Sequence, residues 1–283
     1  MRENLITYEN YRKHREKFGH VATWALWNEE AIDISPSDLD KSYSARKQLI
    51  IADSEEDYRK KGLDKLLHGD VVIMPLNFSC PKESPVNPNS LIQILNKYKT
   101  SEYNKKRYDK LIKLVEEDER YLFFNMHGHS AKNYGPGFMK SDLLHGAYMT
   151  DFVKFVEEDG ELLAAGIPES NSSHDVIKDE LNERIDIHAR GLKEEFDLLA
   201  IKPKVIVLCH SGLYKKDKEG ELKGKTIDAI IDALGYSPYF VKLNHYTPQG
   251  SVKKGEYDTV AEAFEKREIK ELIENIQNKL ESV

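Results

Sequence analysis

The stretch Val71-Val72-Ile73-Met74-Pro75-Leu76 decides the fold class, because it is apolar throughout and runs into a polar turn, Asn77-Phe78-Ser79. A half-exposed antiparallel strand alternates polar and apolar residues, whereas a strand of a parallel sheet is buried on both faces. Three further runs share this composition: 121–125 or 147–153, then 205–209, then 239–243. The sequence therefore predicts a short, mainly parallel central sheet.

Segments with helical spacing of apolar residues separate these predicted strands. They are 38–67, 88–117, 174–200, 226–234 and 257–280. Strands that alternate with helices predict a three-layer α/β/α sandwich. We predict a single α/β domain over residues 1–283, with its core at about 69–251. An N-terminal extension, 1–68, and a C-terminal helix, 257–281, are expected to pack on that core, with Trp24 and Trp27 as apolar anchors.

Composition narrows the class of protein. The net charge is −7, and the basic residues are interspersed with acidic ones, so no basic field covers the molecule. The two cysteines, Cys80 and Cys209, are too few for a disulfide framework. No apolar run approaches the length of a membrane span. These features predict a cytoplasmic protein with no membrane partner.

Polar residues follow several of the predicted strands directly. Asn77 follows the first strand, Asp151 lies near the end of the 147–153 run, and His210 follows Cys209. The turn His245-Tyr246-Thr247-Pro248-Gln249-Gly250-Ser251 follows the last strand. Ligands of open α/β sheets bind outside the carboxyl ends of the strands, so these turns predict one site. A turn-forming Asn77 and a structural Asp151 or His245 remain the alternatives.

Two other motifs carry less chemistry. The pair in His127-Gly128-His129 has no third ligand at a standard zinc spacing, so we expect no metal there. Cys209 and His210 are neighbours on an extended chain and point to opposite faces, so they cannot form a Cys/His nucleophile pair. We expect Cys209 to face the core and His210 to face the site.

The order of these motifs resembles the uracil-DNA glycosylase superfamily over roughly residues 69–251. The matching features are the turn with Asn77, the motif Tyr148-x-Thr150-Asp151-x-Val153-Lys154, the strand Lys202-Pro203-Lys204-Val205-Ile206-Val207-Leu208 and the turn His245-Tyr246-Thr247-Pro248. The resemblance implies an α/β/α fold and a DNA-repair hydrolase. Such an enzyme breaks the N-glycosidic bond of a base flipped out of the stack, with no metal or organic cofactor.

The resemblance also implies roles for individual residues. Asn77 falls where the family positions the attacking water, and His245 falls where it stabilises the departing base. The base-binding residues would be Phe78, Tyr148, Asp151 and His210. The DNA-contacting residues would be Thr247, Gln249, Ser251, Lys253 and Lys254. DNA, or a nucleoside or nucleotide ligand, is thus the expected partner.

The chain departs from the family pattern at points that affect the substrate. Pro75 stands where the family usually has Gly, and Phe78 where it often has Pro. Asp151 falls where related sequences carry Asn, whose amide can both accept from uracil N3–H and donate to O4. An ionised Asp has no donor and repels O4, so this position argues against uracil and favours a base with an exocyclic amine.

Three functions remain open on the sequence alone. The first is a glycosylase-like enzyme that acts on a damaged or unusual base. The second is a non-catalytic nucleotide- or nucleic-acid-binding module on the same fold, which would keep the pocket but hold no water near Asn77. The third is an unrelated α/β hydrolase with another nucleophile at this edge.

Overall fold

The computed structural model describes residues 2–19, 21–26, 51–76, 79–80, 137–158, 160–164, 167–168, 180–243 and 264–281. These residues form an α/β fold with a five-stranded, mostly parallel mixed sheet and flanking helices. None of the described helices combines the length and the apolar character that crossing a membrane requires. The extent of the domain, predicted as residues 1–283, stays a prediction.

The described helices and strands have the following bounds. The helices are α1 (Tyr8–Phe18), α2 (Glu55–Lys60), α3 (Leu63–Leu66), α4 (Ile185–Leu199), α5 (Lys225–Leu234) and α6 (Lys270–Glu281). The strands are β1 (Ala22–Trp24), β2 (His68–Met74), β3 (Ser79–Cys80), β4 (Ala147–Thr150), β5 (Phe155–Glu158), β6 (Glu161–Ala164), β7 (Ile167–Pro168), β8 (Val205–Leu208), β9 (Lys215–Lys216), β10 (Leu222–Lys223) and β11 (Tyr239–Lys242). A 3₁₀ turn (Ser211–Leu213) follows β8, and a π-helical turn (Phe264–Ile269) precedes α6.

The central sheet has the strand order β1-β4-β2-β8-β11. β4, β2, β8 and β11 run parallel, as the apolar runs predict, and β1 pairs antiparallel with β4 at one edge. Of the two alternatives for the second strand, 147–153 contains β4, whereas 121–125 lies outside the described residues. The sequence analysis missed β1, which lies in the predicted N-terminal extension.

Alternation along the strands explains why they are apolar throughout. Val72, Met74, Ile206 and Leu208 belong to a core that includes residues of α1, α4 and α5. Their sequence neighbours Val71, Ile73, Val205 and Val207 pack on the opposite face with Leu272 and Ile276 of α6. Trp24 is buried in the first core, as expected, and Trp27 lies outside the described residues.

Helix α4 is the longest described helix and covers the sheet with an apolar stripe. Leu192, Phe196 and Leu199 lie on this stripe and are buried. The helix ends at Ala200, whose φ of 54° is left-handed and stops the helical hydrogen bonding. Gly191 lies in the same helix, where the ring of Phe155 in β5 packs directly on its backbone.

We expect Gly191→Ala to destabilise the protein despite the better helix propensity of alanine. The added Cβ would lie 2.3 Å from the Phe155 ring, which is fully buried and has no room to withdraw. Overpacking of this kind costs about 1–3 kcal/mol, more than the roughly 1 kcal/mol that alanine gains in a helix. Urea denaturation measures the difference. The double variant Gly191→Ala/Phe155→Leu should recover part of the loss, and an unchanged Gly191→Ala protein would contradict this packing.

The segment before α1 closes the amino-terminal edge of the sheet. The guanidinium of Arg2 donates to the carbonyls of Lys65, Leu66, Asp142 and His145 at 2.8–3.1 Å. The carboxylate of Asp70 accepts from the backbone N–H groups of Glu3 and Asn4 and from the Asn4 amide. These bonds tie the start of the described chain to β2 and to the turn before β4.

Candidate functional site

The carboxyl ends of the four parallel strands lie along one edge of the sheet. From one side to the other they are Thr150 of β4, Met74 of β2, Leu208 of β8 and Lys242 of β11. Across the sheet, the four parallel strands are the second, first, third and fourth of the set in chain order. The chain therefore winds in opposite directions on the two sides of the boundary between β2 and β8. A doubly wound sheet places its ligand crevice at such a reversal, outside the carboxyl ends. This is the edge where the sequence predicts the site.

Asp151 lies directly after β4 at this edge and is only 3% exposed. The following N–H groups, those of Phe152 and Val153, donate to the carbonyls of Pro75 and Leu76 at 3.2 and 2.8 Å. The residue after β4 is thereby held level with the exit of β2. Burial lowers the pKa of Lys154, and the charges of Glu195 and then Asp151 oppose this shift without reversing it. Burial, followed by the charge of Asp151, raises the pKa of Cys209.

The side chains of Cys209 and His210 point to opposite sides of the extended chain. Cys209 is fully buried, and its N–H donates to the Met74 carbonyl at 3.0 Å. Burial, before the charge of Asp151, raises the pKa of its thiol far above the ordinary value, so it is not a nucleophile. His210 is half-buried, and its Nδ1 accepts from the Gly212 N–H at 2.9 Å. The expectation that Cys209 faces the core is confirmed.

The turn after β8 approaches the exit of β2. A Cβ placed on Gly212 would lie 3.0 Å from the His210 ring and 4.0 Å from a Leu76 methyl group. Gly212, whose N–H binds His210, therefore lies close to Leu76, the residue that precedes Asn77 in the chain. The remaining predicted site residues lie outside the described residues; they are Asn77, Phe78, His245, Thr247, Gln249, Ser251, Lys253 and Lys254.

Tyr148 occupies an interior position rather than a surface of the site. It is fully buried, its ring packs 4.8 Å from the Trp24 ring, centroid to centroid, and its hydroxyl donates to Glu195. His14 lies edge-on to the same ring at 5.2 Å. A ring packed in this way is not available to stack on a base, so this position does not support the predicted base-binding role of Tyr148.

A fully buried ion pair lies next to the Asp151 segment, on the side of α1 and α4. Lys154 Nζ lies 2.7 Å from Glu195 Oε2, and both side chains are 0% exposed. Thr150 donates to Glu195 Oε1 at 2.8 Å, and Lys154 also donates to Thr150. Because Tyr148 donates its proton to Glu195, His14 Nε2 is the donor in its 2.5 Å contact with the Tyr148 hydroxyl. We call these five residues the buried ionic network.

The buried ionic network is charged despite its burial. Burial by itself raises the pKa of Glu195, but Lys154 and His14 outweigh it and bring the pKa to about 2. Burial lowers the pKa of His14, which keeps its imidazole neutral near pH 7. Since Thr150 and Lys154 flank Asp151 and both bind Glu195, the network fixes the backbone that carries Asp151.

Sequence reasoning missed Glu195 and His14 as members of this arrangement. One signal was present, because Glu195 falls on the apolar stripe of α4 between Leu192 and Phe196. A carboxylate at such a position needs a buried partner. The partner, Lys154, comes from a turn 41 residues earlier in the chain. No comparable local pattern marks His14.

The opposite, amino-terminal edge holds a large cleft of about 1010 Å³. Its lining residues come from the starts of β2, β8 and β11, from the segment before α1 and from the turn before β4; they include Asn4, His68, Asp70, Lys202, Tyr236 and Tyr239. We call it the amino-edge cleft. It shares no described residue with the predicted site. The large cleft thus lies at the amino-terminal edge of the sheet, whereas the sequence predicts a site at the carboxyl-terminal edge.

Within the described ranges, no three His, Cys, Asp or Glu side chains come together as metal ligands. His127 and His129 lie outside these ranges. Comparisons with protein-family models, with curated proteins and with solved structures give no match to this chain.

Proposed function

We propose that the protein hydrolyses the N-glycosidic bond of a damaged or unusual base in DNA, on a uracil-DNA glycosylase-like α/β/α sandwich. The supporting observation is the position of Asp151, which is buried beside the exit of β2 and next to the turn that carries His210. The predicted water-positioning residue, Asn77, comes two residues after Pro75, the residue that binds the Asp151 segment. Chain connectivity thus brings these predicted roles to one edge.

The proposed reaction uses the residues in distinct roles. Asn77 positions a water against the sugar C1′, and Phe78 stacks on the flipped base. The water oxygen bonds to C1′ and releases a proton to solvent, while the electron pair of the C1′–N bond leaves with the base. His245 donates a hydrogen bond to the departing base and so stabilises its developing negative charge. The base is then protonated and released.

Asp151 selects the base in this proposal. The carboxylate of Asp151 interacts with the ammonium group of Lys154, where it opposes the lowering of the Lys154 pKa that burial causes. An ionised carboxylate accepts hydrogen bonds only, so it recognises a base edge that presents N–H groups. A base with an exocyclic amine meets this requirement, whereas O4 of uracil is repelled.

The turn after β11 would hold the DNA backbone. Thr247, Gln249, Ser251, Lys253 and Lys254 follow Lys242, the last residue of β11, within 12 residues. Lys215 and Lys216, which follow β8, are both exposed and would extend such a cationic rim in this proposal. Cationic contacts to phosphates are weakened by salt, so binding should fall as ionic strength rises.

We expect the purified protein to produce abasic sites in oligonucleotides that carry amine-bearing damaged bases, in preference to uracil. Asn77→Ala and His245→Ala should each lower the single-turnover rate by about 100-fold, because each removes a group used at the transition state. Asp151→Asn should shift the preference toward uracil, since an amide can donate to O4. Gel separation of the cleaved abasic strand gives the rates.

Asp228→Asn is the matched control for Asp151→Asn, because Asp228 is exposed on α5. It should leave rate and preference unchanged. A folded wild-type protein that cleaves none of a panel of uracil, hypoxanthine, xanthine and alkylated bases, in single and double strands, would refute the proposed hydrolysis. Salt-dependent DNA binding without cleavage would then favour the non-catalytic binding module.

A further inference from the structure

The amino-edge cleft is built from rigid parts. Its floor is formed where β2, β8 and β11 begin, and the Lys204 backbone links two of these strands by accepting from Tyr239 at 2.9 Å and donating to Asp70 at 3.0 Å. Arg2 and Asn4, held by the bonds described above, form one wall. A volume of about 1010 Å³ is at the upper end of the range for small-molecule sites.

Most charged groups of this cleft are already neutralised by the protein. Its lining contains three cations and three carboxylates: Arg2, Lys202, Lys204, Glu3, Asp70 and Asp142. Lys204 pairs with Glu3 at 2.7 Å, and Asp70 accepts three hydrogen bonds from residues 3 and 4. Lys202 Nζ lies 4.7 Å from the centroid of the Tyr236 ring. The balance of charge disfavours a ligand of high net charge.

His68 is a polar group of the cleft that the described residues leave unsatisfied, as is the hydroxyl of Tyr236. It is 1% exposed, and neither ring nitrogen makes a hydrogen bond to the described residues. The backbone carbonyl of His145, which accepts from Arg2, also lies near the ring and raises the pKa of His68, but its geometry falls short of a hydrogen bond to either ring nitrogen. Nδ1 lies 3.9 Å from Asp70 Oδ2, a separation too long for a direct bond. A buried polar group without a partner destabilises the folded protein, and a ligand that binds it relieves this cost.

The remaining lining adds flat, apolar surface. Tyr236, Tyr239, Pro203 and Pro238 contribute aromatic and proline surfaces, on which planar rings pack. Burial, followed by the charge of Arg2, lowers the pKa of His68 to about 4, so the ring is neutral near pH 7. A neutral imidazole offers one donor and one acceptor. This pair of functions matches a hydroxyl group or the donor–acceptor edge of an amide-like ring.

We propose that the amino-edge cleft is a second binding site, which takes an uncharged small molecule with a planar ring and hydroxyl groups, of the nucleoside class. His68 and Asp70 hold the hydroxyl or ring-edge groups, and the tyrosines pack on the ring. The site is separate from the predicted hydrolytic edge and does not rest on the proposed hydrolysis.

Isothermal titration of the full chain at pH 7.5 tests this site with four probes: adenosine, uridine and their 5′-monophosphates. The nucleosides should bind, and the monophosphates should bind more weakly. His68→Leu should weaken nucleoside binding by about tenfold, the value of one hydrogen bond. Tyr239→Ala, at the floor, gives a second test if His68→Leu does not fold. Asp228→Asn, exposed on α5, should leave the affinity unchanged, and Asp151→Asn reports any binding at the opposite edge.

Each outcome bears on the proposal. Absence of binding at millimolar nucleoside would overturn the site, and tighter binding of the monophosphates would overturn its ligand class. Binding lost in Asp151→Asn but kept in folded His68→Leu or Tyr239→Ala would move the nucleoside to the carboxyl edge. Perturbation of the His68 ring resonances by adenosine, measured by NMR, would support the assignment independently of affinity. None of these measurements detects base excision from DNA. The proposed hydrolysis and the proposed second binding site can therefore fail separately.

Discussion

Replacing Glu195 by alanine should lower the free energy of unfolding by about 3–5 kcal/mol. The reason is that Lys154 would stay in the interior, 0% exposed, without the carboxylate that lies 2.7 Å from its ammonium group. Thr150 and Tyr148 would lose their shared acceptor at the same time. Urea denaturation at pH 7, followed by circular dichroism, measures the change.

The chain offers a matched control one residue away. Glu194 is exposed and pairs with Lys17 at 3.1 Å, so Glu194→Ala should cost no more than about 1 kcal/mol. Lys154→Met should be as harmful as Glu195→Ala, since it strands the carboxylate. The double variant Lys154→Met/Glu195→Leu should be more stable than either single variant, because no charge is left alone. Equal effects of Glu195→Ala and Glu194→Ala would contradict the description of a buried ion pair.

Acidification should destabilise the protein between pH 7.5 and 5 through His68. The folded pKa is about 4, below the ordinary 6.5, because burial and then Arg2 disfavour the charged ring. The unfolded chain therefore binds the proton first, so the stability is fully present above pH 6.5 and is lost as the pH falls toward 4. His68 alone should account for about 2 kcal/mol at pH 5. Asp70 and His145 also face the ring, and their opposing effects are included in this pKa.

The variant His68→Gln isolates this contribution. Its free energy of unfolding should fall by about 2 kcal/mol less than that of the wild type between pH 7.5 and 5. Other buried histidines, His14 and His188, also have lowered pKa values and remain in both proteins, so they cancel in the comparison. NMR titration of the His68 ring gives the pKa directly. A His68 pKa near 6.5, or parallel stability curves for the two proteins, would rule out this linkage.

The sequence predicts the parallel strands well because strands that are buried on both faces consist almost entirely of apolar residues. The pairing of β2 with β8, such as Val71 opposite Val205, cannot be read from an apolar run. Runs such as Val205-Ile206-Val207-Leu208 nevertheless have no polar residue to face water, and they form the middle of the sheet. β1 escaped prediction because Ala22-Thr23-Trp24 is too short to show a period. Its strand character comes from pairing with β4, which is far away in the sequence.

The candidate site is predictable only in part for a similar reason. Asp151 and His210 can be placed at the carboxyl edge from the sequence because each comes within two residues of a strand end, and connectivity fixes that position; their roles stay predictions. The burial of Tyr148 could not be predicted, because the side of the sheet that a strand residue faces depends on the register with β2. The pairing of Lys154 with Glu195 depends on how α4 packs across the sheet. His68 drew no notice because its surroundings depend on contacts between distant parts of the chain, such as the bridge between Leu5 and the start of β2.

The antiparallel pairing of β1 with β4 also constrains the order of folding. Residues 22–24 leave the ribosome well before residues 147–150, with which they pair. The hydrogen bonds from Arg2 also form late in synthesis, because two of the carbonyls that accept from Arg2 lie 140 and 143 residues later in the chain. The early segment must therefore wait, without this partner, until β2 and β4 have been synthesised. Contacts of such long separation slow folding, so nascent-chain experiments should find this edge completed only after β4 has emerged.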